Sequence, residues 1–285
     1  MAPTRHAPVI RNCRTVSMNV AGRKPSNSTQ VPPLVRRSMT APAPLTWNNV
    51  AYQLALKGAY LDRAQQYAES ALSAVAADSR NFSIGHVTAR ELAITESIGS
   101  YLDTLGWVAF AKNDFASAET LISAAWWITE HAEVGDHLGQ IADRRGNRDE
   151  ATRWYAFALN GDRPEAATRD RLGAAAGKNV NIDELVRKYR AELSRTRSIG
   201  IKGTPAISGK ADFFLLVGGD GKVEDAEFTS GDETLKPLSA TLKTVQFQNI
   251  SSASQPLKVL RRGTVVCNPA CAITLVPASE ARPGR

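Results

Sequence analysis

Apolar side chains recur at intervals of three and four over most of residues 44–196, the spacing that gives an α-helix one buried stripe. In "WNNVAYQLALKGAYLDRAQQYAESAL", Trp47, Val50, Ala51 and Leu54 share a face, Gly58 makes a turn, and Ala64, Ala68 and Ala71 line a second helix. "YLDTLGWVAFAKNDFASAETLISAA" (101–125) then aligns without a gap on "VGDHLGQIADRRGNRDEATRWYAFA" (134–158). Leu105-Gly106 meets Leu138-Gly139, Asn113 meets Gly146, Ala118 meets Ala151, Ile122 meets Tyr155 and Ala125 meets Ala158, each at an offset of 33. A third Leu-Gly, Leu172-Gly173, follows 34 residues later. A fixed period of this length predicts a stack of helix-turn-helix units. Three repeats and a capping half-repeat are expected over 44–196. Ala64 and Ala118 stand 54 residues apart, so an insertion is expected at 77–98. The last helix, "IDELVRKYRAEL", puts Ile182, Leu185, Val186, Tyr189 and Leu193 on one face and closes the array with a polar outer side.

The period changes further on. "SIGIKGTPAISGK" reads as a linker, 197–210, and "DFFLLVG", "GDG" and "VEDAEFT" read as strand, turn and strand. Leu235, Leu238, Leu242 and Val245 form a helical stripe, and "LKVLRRGTVVC" and "AITLVP" read as two more strands. The expected fold class is therefore mainly α: a helical solenoid over 44–196, then a small α+β domain over 211–278. That domain has the order ββαββ, an antiparallel sheet carrying one helix.

Charge changes the picture less than the pI of about 9.4 suggests. Residues 1–46 carry seven basic side chains and no acid, which leaves 28 basic side chains against 28 acids in the rest. The basic excess is thus a property of the tail, and the folded part is not expected to bind nucleic acid. Residues 1–46 also hold seven of the fourteen prolines, and the tail, 1–43, is expected to be disordered, as is 279–285. Its best apolar run, "VPPLV", is no secretory core, while arginine and serine without acids also suit a transit peptide. A misassigned start is a third reading. No run is long and apolar enough to span a membrane.

An interior glycine costs about 1 kcal/mol relative to alanine, yet Gly106, Gly139 and Gly173 recur in register, with Ala118, Ala151, Ala125 and Ala158 on the second helices. These residues resemble the tetratricopeptide repeat. That likeness implies that the glycines lie where the two helices of a unit cross closely, and that the alanines serve the same approach from the other side. The resemblance implies a protein-binding groove lined by the first helix of each unit. Carried over, it places Asn48 and Tyr52, then Asp103, Trp107 and Phe110, then Asp136, Gln140 and Asp143, and finally Asp170 along that groove. Asp103, Asp136 and Asp170 recur at one repeat position; they favour a cationic or amine-bearing segment, or are simply solvated acids. The acid-free tail is one such segment. The Lys/Asn set with which some family members clamp a terminal carboxylate is absent.

"GDGKVEDAEFTSGDETL", with a helix and a strand after it, is similar to the C-terminal domain of TonB-type energy transducers, with Gln248 where a proline is usual. What carries over is the fold and an exposed strand edge. The order of repeats, linker and small domain looks like the C-terminal part of exported bacterial transglutaminase-like proteins. Their catalytic Cys-His-Asp region has no match here. The implied location is the periplasm or outside, with the cytoplasm as the alternative. Cys267 and Cys271 flank a tight loop and are either a hairpin disulfide or two free thiols, according to compartment. No metal set and no cofactor motif are found. Asp136 and His137 are neighbours on a helix and do not face each other. The reading is a non-catalytic scaffold or adaptor for a protein or peptide; the alternative is an accessory fragment of an exported transglutaminase-like enzyme.

Overall fold

Three hairpins share one turn, and the turn explains why the helices stop where they do. In the computed structural model, which describes residues 43–178, 180–250 and 256–277, α1 (Pro44–Leu56) and α2 (Leu61–Ser79) form the first. The second is α3 (Ala89–Ala111) with α4 (Phe115–Thr129), and the third is α5 (Ala132–Arg144) with α6 (Arg148–Ala158). Gly58, Asn113 and Gly146 end the first helix of each at positive φ. The next N–H reaches back to the carbonyl five residues earlier: Ala59 to Leu54, Asp114 to Ala109 and Asn147 to Ala142. This is the left-handed C-terminal cap that Gly or Asn supplies most readily. Asp114 and Asn147 then cap the second helix, accepting from the N–H groups of Ser117 and Glu150. α7 (Ala166–Ala176) and α8 (Ile182–Thr196) close the array. The apolar face of α8 packs on α6, with Tyr189 edge-on to Phe157 at 6.0 Å.

The helix crossings are set by glycine against a bulky partner. A Cβ at Gly106 would collide with Ile122, and one at Gly139 with the Tyr155 ring, so the aligned pair Ile122 and Tyr155 fill the space the two glycines leave. Ala118, Ala125, Ala151 and Ala158 are fully buried beside them. Gly173 departs from expectation: a Cβ there would meet nothing within 4 Å, so it is not a crossing residue. Its second helix is replaced by α8, which makes its main contacts with α6. Gly99 against Thr129 and Gly135 against Ala158 are further crossings of the same kind.

The expected α+β domain follows the helices, with one addition. β1 (Ser198–Ile201), β2 (Gly209–Gly218), β3 (Val223–Gly231), β4 (Lys258–Asn268) and β5 (Ala270–Leu275) form an antiparallel sheet in the order β1-β5-β4-β2-β3. β1 lies in the stretch expected as a linker. It pairs Ile199 with Ile273 and Ile201 with Cys271, so the chain enters the sheet directly from α8. The expected helical stripe is short: α9 (Leu238–Leu242) follows a single 3-10 turn, with Leu235, Leu238 and Leu242 buried. Cys267 and Cys271 face each other across the β4–β5 ladder and are joined by a disulfide.

Helices and sheet form one compact unit. The insertion explains part of this. Phe82, Ile84 and Leu92 pack on Leu216 and Leu260 of the sheet. β5 pairs with β4 only from Gly263 onward. The earlier N–H groups of Lys258 and Leu260 instead donate to Ser79 Oγ and Thr95 Oγ1, at 3.2 and 3.1 Å. Arg261, 2 % exposed, donates to the carbonyls of Trp127 and Ile128 at the end of α4 and lies over the Trp127 ring. Burial lowers its pKa to about 10, and it stays charged at neutral pH. The tails at 1–42 and 278–285 lie outside the described residues, and with them the expectations about those segments.

Candidate functional site

The residues assigned to a groove lie on the first helices α1, α3, α5 and α7, but they are mostly engaged with one another. Asp103 on α3 is buried and accepts from His137 Nδ1 on α5 at 2.9 Å. The Trp107 ring stacks on the His137 ring at 3.9 Å and on Phe110 at 4.5 Å. Asp136 is buried, and both its oxygens accept from Arg171 Nη1 on α7, at 2.8 and 2.7 Å. Gln140 donates to Asp136 one turn back. Asp143 accepts from the Tyr155 hydroxyl at 2.7 Å, inside its own hairpin. Tyr52 on α1 reaches across α3 and donates to Glu133 on α5 at 2.5 Å. Asp170 is exposed on α7.

The expected row of three open carboxylates is therefore corrected. Asp103 and Asp136 point into the joints between successive first helices, because each finds a cation one repeat further along. Phe110, Gln140 and Tyr52 remain partly accessible, Phe110 with Arg144 over its ring at 5.4 Å. His137, Glu133 and Arg171 were missed by sequence reasoning. The signal for two of them was the period: Asp103 to His137 is 34 residues and Asp136 to Arg171 is 35, one repeat step each.

The electrostatics follow from these pairings. For His137 the largest effect is burial, which disfavours the imidazolium. The carboxylates of Asp103, Glu133 and Asp136 outweigh it, and its pKa lies above the ordinary 6.5. Burial first, then Glu133 with Asp103 and Glu165, holds the Tyr52 phenol protonated well above its usual range. Burial and Asp143 do the same for Tyr155.

Between α1, α3 and α5 a pocket of about 210 Å³ opens, with Asn48, Tyr52, Ser100, Asp103, His131 and Glu133 in its wall. Asn48 is 8 % exposed, and its amide oxygen is buried without a hydrogen-bond partner. Among the described residues no three His, Cys, Asp or Glu side chains converge as a metal site would require. Also among them, no helix is long and apolar enough to cross a membrane. No protein-family model matches the chain, and no curated protein matches it.

Proposed function

We propose that the chain is a non-catalytic scaffold of the tetratricopeptide type, holding a segment of a partner protein against the face built by α1, α3, α5 and α7. Three hairpins with one turn geometry, two of them with glycine against a large side chain at the crossing, support the repeat assignment. One observation carries the binding role. Tyr52, Asp103 and Asp136 of this face are tied helix to helix, while a pocket in the same face is lined by Asn48, whose amide oxygen has no partner, and by two carboxylates. Such a surface is set before a partner arrives, which lowers the entropy lost on binding. The Asp103–His137 pair, sealed beneath Trp107, acts as a joint between repeats.

A random-peptide display library panned against the full chain tests this. Enriched peptides are expected to bind in solution and to lose roughly tenfold or more when Phe110→Ala and Gln140→Ala are combined, as central contact residues do. Peptides that bind the double variant as tightly as wild type would place binding elsewhere. The reading as an accessory fragment of an exported enzyme is favoured by one feature, the Cys267–Cys271 bond, since disulfides persist in oxidising compartments. Alkylation of the protein in its own cells separates the two: blocked thiols agree with export, and modified thiols rule it out.

A further inference from the structure

The pocket between α1, α3 and α5 sets the carboxylates of Asp103 and Glu133 beside Asn48, Asn49, Tyr52, Ser100, Thr104 and His131. The Tyr52 hydroxyl gives its proton to Glu133 Oε1, and the Ser100 hydroxyl gives its proton to the Glu96 carbonyl at 3.1 Å. Asp103 meets His137 through Oδ1 and is part of the pocket wall. Glu133 is exposed at the rim. Asn48 adds an amide oxygen that has no partner although the side chain is nine-tenths buried. A buried acceptor of this kind costs about 1–3 kcal/mol until a donor reaches it. A carboxamide exchanges its oxygen and nitrogen edges by a half-turn about χ2, so the oxygen can meet a donor that enters. The field has the same sign. Glu133, Asp103 and Glu165 all act on Tyr52, and Glu133 and Asp136 act with Asp103 on His137. Two carboxylates and an unpartnered amide oxygen in one wall favour a compact cation with several protons to donate. The space of about 210 Å³, open to solvent, suits an ammonium on a short apolar stem.

We propose that this pocket takes the ammonium group of the bound segment, either a lysine side chain or a chain amino terminus. This rests on the scaffold reading and adds the chemistry of its anchor. Three donors of an ammonium meet Asn48, Asp103 and Glu133, and the methylene stem lies against the ring of Tyr52.

The test titrates the ¹⁵N-labelled full chain with four small probes. An acetylated, amidated Gly-Lys-Gly tripeptide is expected to shift the Asn48 side-chain amide and the Glu133 backbone amide saturably. Its norleucine and acetyl-lysine analogues are expected not to do so. Amidated triglycine with a free amino terminus reports the second source, and saturable binding of either amine supports the proposal. Glu133→Gln, at an exposed position, and Asn48→Leu are each expected to weaken the effective probe about tenfold, as loss of a hydrogen bond to a charged group does. The proposal is overturned if the norleucine peptide binds equally, if neither amine probe gives a saturable shift, or if Glu133→Gln binds as wild type. Library peptides without any amine that still depend on Phe110 and Gln140 would leave the scaffold reading standing and remove only the ammonium anchor.

Discussion

At the scale of single residues, identical letters at one repeat position have different fates. Asp103, Asp136 and Asp170 align, yet the first two are buried against His137 and Arg171 and the third faces water. Alignment shows which row a residue stands in. It does not show whether the next repeat offers a cation, because the partner comes from a neighbouring helix one period away. Removing one member of a buried pair leaves the other uncompensated, at roughly 3–5 kcal/mol. Asp103→Asn and Asp136→Asn are thus expected to lower unfolding free energy by about 2–4 kcal/mol, and Asp170→Asn to change it by less than about 0.5 kcal/mol. Urea titration with tryptophan fluorescence measures all three. The same pair makes stability depend on pH. His137 faces Asp103, Glu133 and Asp136, and its pKa is raised on folding, so its contribution is complete below the unfolded value near 6.5 and fades as pH rises through the folded one. The urea midpoint of wild type is expected to fall as pH increases above 6.5, and His137→Gln to flatten that slope. An unchanged slope in the variant would show that another group carries it.

At the scale of elements, the hairpin turns were legible because Gly58, Asn113 and Gly146 are residues that accept positive φ at a helix end. The crossings at Gly106 and Gly139 were legible too, through the repeat resemblance that the period and the Leu-Gly pairs carry. Gly173 carries the same two letters, but its helix meets no second helix of its own hairpin at that point, a tertiary fact without local signature. The start of α3 carries its own local signal: Thr88 and Glu91 form a reciprocal capping box, "TARE" in the sequence. β1 was hidden because its four residues are too few to show alternation and sit among glycine and proline. Glycine-to-alanine changes separate the cases. Gly106→Ala gains helix propensity but drives a methyl into Ile122, and is expected to destabilise by about 1–2 kcal/mol. Gly173→Ala meets open space and is expected to stabilise by about 0.5–1 kcal/mol. Thermal unfolding of the two variants should move in opposite directions.

At the scale of the whole molecule, the expected division into solenoid, linker and small domain underestimates how the parts are joined. The 77–98 stretch, expected as an insertion from the break in the period, supplies Phe82, Ile84 and Leu92 to the sheet. Arg261 sits in β4 opposite Leu215, and the carbonyls ending α4, with that of Val276 and the Trp127 ring, explain a buried guanidinium there. Trp127 on α4 packs on Phe247 beyond α9 at 5.3 Å. Arg261→Met leaves two helix-end carbonyls without their donor and is expected to cost about 2–4 kcal/mol. It should also split the single unfolding transition expected of residues 43–277 into two, seen when far-ultraviolet circular dichroism and tryptophan fluorescence are followed together. A fixed joint between helices and sheet also keeps the first-helix face in one arrangement, which the scaffold role requires. The most direct test of that role is to map a library-selected peptide on the ¹⁵N-labelled chain by amide shift perturbation. Perturbations centred on Tyr52, Phe110, Glu133 and Gln140 are the expected result; perturbations confined to α2, α4 and α6, or to the sheet, would contradict it.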